Sequence, residues 1–274
     1  MRSLALIAAL MLSTAPVMAA EKAPAIPAKF IVKGKSIQPV PMAAWEDANG
    51  KAQIATGKGQ VAKAPAKAVK YSVKSVAWPS GTVKEITFKG GVFYPVTDET
   101  QIYVKAGSIK ANIGGVPTVL KAGDVAVRPT GNLTTGDKGE TVLVTWNVDS
   151  LDGKKASTVV RGSDVKDPAK DAVVGVKRYE FPGNSIRVAS MLKGSKNGPA
   201  SAKTDSLIYL LKGHVSFREG DETHEVVAGD FLWEEAGQTH SWEHLDGGTF
   251  VTTSALPKGA GPIDPSKATD IPPR

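Results

Sequence analysis

The chain has 274 residues, of which 41% are hydrophobic and 22% charged, and it contains no cysteine. That length and composition suit one large or two ordinary globular domains with a buried core. The lack of cysteine excludes disulfides, thiolate metal sites and cysteine nucleophiles. The formal charge of +7 resides in one stretch, because ten lysines stand against three acidic residues between Glu21 and Lys74. With one Trp and no Arg there, the stretch reads as a solvated or loosely docked arm and not as a nucleic-acid-binding face.

In chain order, residues 1–19 read as a secretory signal peptide. Arg2 is positive, 4–12 are apolar and Val17-Met18-Ala19 ends on a small residue, a pattern too short for a membrane anchor. The mature protein is expected outside the cytoplasm, in a bacterial periplasm. No later stretch approaches the ~18 apolar residues of a membrane-spanning helix. Residues 20–69 form the Lys/Ala-rich N-terminal arm, whose composition leaves open whether it adds a strand to the next domain or wraps a neighbour.

Residues 70–150 and 173–256 each read as an all-β domain. Runs at 102–104, 125–127 and 141–146, and again at 206–211, 224–227, 230–234 and 249–253, are rich in β-branched or aromatic residues. Between them lie turn signals such as Gly114-Gly115, Gly136-Asp137, Gly220-Asp221 and Gly247-Gly248. Residues 151–172, rich in Lys, Asp, Ser and Gly, read as a linker. Residues 257–274 read as an extended Pro-rich tail.

The two domains repeat one another. Ile102-Tyr103-Val104-Lys105-Ala106-Gly107 matches Ile208-Tyr209-Leu210-Leu211-Lys212-Gly213 at an offset of 106 residues, and Leu120-Lys121-Ala122-Gly123-Asp124 matches Val226-Val227-Ala228-Gly229-Asp230 at the same offset. A constant offset at two separate blocks indicates a duplicated unit.

These blocks resemble the cupins, a family of small jelly-roll β-barrels. The family's second motif runs Gly, a short spacer, Pro-x-Gly, two residues, His, three residues, Asn. The second copy here offers Gly229, then Glu235-Ala236-Gly237, then His240 and His244, with Glu235 in place of Pro and His244 in place of Asn. The first copy offers Gly123, Pro129-Thr130-Gly131 and then Thr134 where the histidine belongs. The chain thus resembles a bicupin, two tandem cupin-type jelly-roll barrels, over most of its mature length.

Catalytic cupins hold a divalent transition metal with His-x-His and Glu from the first motif and His from the second, a ligand set that suits such ions. By the resemblance, the carboxylate position of the second copy is Ser206 and its His-x-His window is 199–202, with no ligand. The matching positions of the first copy are Thr100 and 94–96, and that domain has no histidine. All four histidines, His214, His224, His240 and His244, lie in the second copy. Strand alternation puts His240, Trp242 and His244 on one face, and the resemblance points His240 into the barrel. A metal set of His240 with His224 or His244, completed by Asp205 or Glu235, stands as one reading. His240 as a hydrogen-bonded barrel residue is the other.

The remaining expectation is a small-molecule site in the second barrel, lined by His240, Trp242, Trp233, Tyr209, Arg187 and Ser206. Aromatic walls with a few directional polar groups are the usual make-up of such sites, although both tryptophans are equally suited to filling a core. Arg187 is the group to meet an anionic ligand. In the first barrel Tyr94, Thr100, Arg128 and Thr134 are the matching positions, and that domain reads as mainly structural. A metal-dependent lyase, isomerase or dioxygenase built around His240 is the rival function. An oligomeric scaffold, a homo-oligomer as some cupins form, is the third. The chain has no Gly-x-Ser-x-Gly elbow and no phosphate-binding loop.

Overall fold

The computed structural model describes residues 30–49, 51–89, 93–95, 101–135, 139–148, 157–169, 171–181 and 184–255. The expected signal peptide, the whole Pro-rich tail and Thr100 lie outside them. The described chain is mainly antiparallel strand, with one short helix at Lys58–Lys63, folded as two barrels.

The first barrel closes an eight-stranded sheet over a four-stranded one. The large sheet includes Gln101–Ala106, Glu140–Val148, Gly81–Lys89 and Val69–Trp78, and the small one Thr130–Thr135, Ser108–Ile113 and Val116–Lys121. Between them Ile86, Phe88, Ile102, Val104, Ile109, Leu120, Leu133 and Leu143 form a continuous apolar filling. In the second barrel, Val174–Phe181, Asn184–Met191, Gly248–Ala255, the first half of Asp205–Glu219 and Phe231–Glu234 make the large sheet. Lys196–Ser201, Thr239–Glu243, Glu222–Val227 and the second half of Asp205–Glu219 face it.

The 106-residue repeat is repeated bond for bond. Val104 and Asp124 pair backbone N–H to carbonyl at 3.0 Å, as do Leu210 and Asp230, while Gly123 and Gly229 each donate to the same strand at 2.8 Å. Gly123 and Gly229 sit at φ +92° and +94°, a left-handed conformation that glycine adopts without steric cost.

The large sheets of the two barrels pack face to face. Trp78, Val83, Val144, Trp146 and Val148 of the first meet Tyr179, Ile186, Leu207, Tyr209, Phe231, Trp233 and Val251 of the second in one buried cluster. Strands of these sheets are therefore apolar on both faces, one side filling their own barrel and the other meeting the partner barrel.

The segment expected as a loosely docked arm carries strands at Ile31–Val32, Val40–Glu46 and Ala52–Thr56 and is built into both barrels. Val40–Glu46 pairs with Val69–Trp78 and extends the first sheet. Ile31–Val32 pairs with Phe231 and Leu232 of the second. Within the expected linker, Thr158–Val160 pairs with Val125–Val127 of the first barrel. Each barrel thus receives a strand from the segment that precedes the other one. The lysines are compatible with this because the small apolar residues among them, Val32, Ala43, Ala44 and Ala55, supply the buried face.

Candidate binding site in the second barrel

The inward face of the second barrel follows from the alternation of its strands. Ile208 and Leu210, Leu232, Ala189 and Met191, and Phe250 belong to the barrel's own core, along with Val215, Phe217, Val226 and Trp242. Residues two positions away on the same strands share that face. Ser206, Glu234, Arg187, Thr252, Ser254, Glu219 and His240 therefore turn inward. Register brings them into rows: Ser206 lies between Glu234 and Ser254, Thr252 between Arg187 and Ile208, and Glu219 opposite His240. The floor is apolar and one mouth is polar.

At that mouth Glu234 gathers two partners on one oxygen. The Trp242 indole N–H donates to its Oε1 at 2.9 Å, and His240 Nε2 lies 3.1 Å from the same atom. The His240 ring stacks on Phe217, centroids 6.0 Å apart. Its Nδ1 is buried with no hydrogen-bond partner among the described residues, and so are both carboxylate oxygens of Glu219 and the Thr252 hydroxyl. Burial, with the nearby Glu234, Glu235 and Glu222, pushes the Glu219 carboxyl up to about 7. Arg187 Nη2 donates to the Ser254 hydroxyl at 3.3 Å.

Of the expected pocket residues, His240, Trp242, Arg187 and Ser206 share this interior. Two do not. Tyr209 turns to the partner barrel, where its hydroxyl donates to Glu85 and accepts from Lys105 Nζ at 2.9 Å. Trp233 also faces outward, stacked on Phe30 with its N–H donating to Asp205 Oδ2 at 3.0 Å. Both are apolar-face residues of a sheet buried on two sides, so strand alternation alone did not reveal which side is the barrel. Glu219 and Glu234 were not among the expected pocket residues. The inward run Val215, Phe217, Glu219 carries the signal, a carboxylate at a position whose alternation demands burial.

The three histidines proposed as metal ligands do not meet. His224 sits at the rim, 3.1 Å from Glu222. His244 is fully buried at the other side of Trp242, its ring stacked 6.3 Å from the indole. Four residues of extended chain place it about 13 Å from His240. Burial pushes His244 down to about 4, so it stays a neutral imidazole. Asp205 is committed to Trp233 and to the Ala236 N–H. Among the described residues no three His, Asp or Glu side chains converge as metal ligands, so the ligand set expected from the resemblance is not assembled among them.

In the first barrel the position of the motif histidine, Thr134, is exposed, and neighbouring Leu133 is buried in the core instead. A register shift between Thr130 and Thr134 accompanies this. The Tyr94 side chain lies outside the described residues. No helix of the described chain is long and apolar enough to cross a membrane.

No protein-family model matches the sequence, and neither does any curated protein. Solved structures do match. An oxalate decarboxylase of Lactobacillus farciminis, in a formate complex, aligns with a TM-score of 0.60 at 11% identity, over 84% of this chain and 87% of that chain. The HEPD of Streptomyces albus, with 2-hydroxyethylphosphonate and Fe(II) bound, aligns at 0.58 and 9% identity, over 84% and 76%. AerE from Microcystis aeruginosa aligns at 0.58 and 11%, over 68% and 92%. Likeness at these identities concerns the backbone alone, and on that ground the chain has the cupin fold in its two-barrel, bicupin arrangement.

Proposed function

We propose that the second barrel binds a small polar organic or sugar-like ligand, in a protein that works outside the cytoplasm. One observation carries the reading: the His240 Nδ1, the two Glu219 oxygens and the Thr252 hydroxyl are buried on the inward face of one barrel with no partner among the described residues. A buried polar atom without a partner costs about 1–3 kcal/mol, so these groups are natural hydrogen-bonding positions for a ligand or ordered water. Glu219, Glu234 and the hydroxyls accept or exchange hydrogen bonds, which favours a ligand rich in hydroxyl donors. Arg187, half-buried beside Ser254, suits a carbonyl or carboxylate oxygen. Trp242 supplies the flat apolar wall. The 1–19 sequence pattern supports export, and mass spectrometry of the mature N-terminus in the periplasmic fraction tests it.

The binding reading is tested by saturation-transfer NMR against mono- and disaccharides and small hydroxy acids. Binding that is lost in His240→Ala and Trp242→Ala, and kept in Trp233→Phe, is the expected result. Binding indifferent to His240 would overturn it.

A further inference from the structure

We infer that Glu219 and His240 are a proton-transfer pair, with Glu234 as the positioning residue that orients the imidazole, acting on a hydroxy-carbonyl compound bound in the second barrel. This rests on the binding reading above and goes beyond it by assigning chemistry to the same mouth.

Three geometric facts carry it. An acceptor-only carboxylate oxygen lies 3.1 Å from His240 Nε2, which favours the tautomer with its proton on Nε2 and leaves Nδ1 as the basic nitrogen. That Nδ1 is buried and unpartnered among the described residues, as are both oxygens of Glu219. The two residues are direct cross-strand partners, a relationship that sets Cβ atoms about 5 Å apart. Both are more than nine-tenths buried. A carboxyl that stays protonated near neutrality is the natural acid for such a base, and Glu219 is pushed up toward that range by burial and by Glu234, Glu235 and Glu222. The other ionisable groups around this mouth are His240 itself, Arg187 and, at the rim, His224.

The step balances without any co-reactant. His240 Nδ1 takes the proton from the carbon next to the carbonyl. The C–H electron pair becomes the C=C bond, and the carbonyl oxygen takes the Glu219 proton to give the enol. His240 then returns its proton to the former carbonyl carbon while the neighbouring enediol hydroxyl gives its proton to Glu219, so that the new carbonyl forms on the adjacent carbon, the aldose or ketose isomer results and both side chains are restored.

The test uses the full mature chain, with dihydroxyacetone and a set of aldoses and ketoses of three to six carbons as probes. Deuterium wash-in from D2O is followed by 1H NMR, and binding of the same probes by saturation transfer. Exchange above the buffer rate is expected, falling about 100-fold in His240→Gln and in Glu219→Gln and unchanged in Thr134→Ala of the first barrel. Probes that bind without exchange, or exchange equal in His240→Gln, would overturn the pair and leave the binding reading standing. Probes that do not bind at all would overturn the pair, and would overturn the binding reading too if disaccharides and small hydroxy acids also fail to bind. A second measurement needs no variant of the pair: 15N NMR of the wild-type histidines should show His240 with its proton on Nε2, shifting in Glu234→Leu. A proton on Nδ1 would contradict the assignment.

Discussion

Asp124 and Asp230 hold equivalent places in the two barrels, and each clamps the segment that precedes the other barrel. Asp124 accepts the Gly162 N–H at 2.9 Å and pairs with Arg161 at 2.8 Å. Asp230 accepts the Gly34 N–H at 2.8 Å and pairs with Lys33 at 3.2 Å. Each also accepts a backbone N–H three residues upstream, from Lys121 and Val227. The strand exchange between the barrels is fastened at these two points.

The glycines of the clamps approach too closely for a side chain. A Cβ on Gly34 would lie 2.0 Å from the Gly229 carbonyl oxygen, and one on Gly162 would lie 2.5 Å from that of Gly123. Gly34→Ala and Gly162→Ala should each cost about 1–3 kcal/mol, read as a lower urea midpoint. Asp124→Ala, which strands two part-buried N–H groups and the Arg161 guanidinium, should cost about 1 kcal/mol. Midpoints equal to wild type would contradict the clamp.

Tyr209 belongs to the inter-barrel interface, and a variant separates that role from ligand contact. Tyr209→Phe removes the hydroxyl between Glu85 and Lys105 and should destabilise the protein by about 1 kcal/mol while leaving ligand affinity unchanged. A large loss of affinity without loss of stability would return Tyr209 to the pocket.

Glu219 and His244 give the stability profile opposite slopes. Glu219 titrates at about 7, above the ordinary 4.5 of a glutamate, so the folded state holds more protons between these values and stability falls as pH rises through them. Glu219→Gln should therefore be more stable than wild type at pH 8, with the difference shrinking toward pH 4.5. His244 titrates at about 4, below the ordinary 6.5, so the unfolded state holds more protons and stability falls as pH drops from 6.5 to 4. His244→Leu should flatten that acidic limb. Urea midpoints across pH 4 to 8 check both signs.

The fold was largely legible and the site only partly so. The repeat could be read because Gly123-Asp124 and Gly229-Asp230 each build a turn from their own backbone conformation, a local requirement that survives in sequence. The faces of the strands could not be read. Leu207, Tyr209 and Trp233 look like barrel-core residues, yet they bury against the other barrel. The arm carried a usable signal that its lysines obscured: Ile31-Val32-Lys33-Gly34 matches Val159-Val160-Arg161-Gly162, at an offset of 128 instead of 106. The offset differs because the first copy carries the extra elements Val40–Glu46, Ala52–Thr56 and Lys58–Lys63 between this segment and its barrel.

Metal content separates the proposed chemistry from the metal-dependent rival. Elemental analysis of untagged protein should find no stoichiometric transition metal, because His224, His240 and His244 are held apart. A stoichiometric metal that disappears in His240→Ala would favour the rival.

The most direct test is a crystal structure of the protein at a resolution that places ordered water. The expected result is a small molecule or water within hydrogen-bonding distance of both His240 Nδ1 and the Glu219 carboxyl, inside the second barrel. Those two groups bonded instead to protein side chains, or facing bulk solvent, would contradict a site built from them.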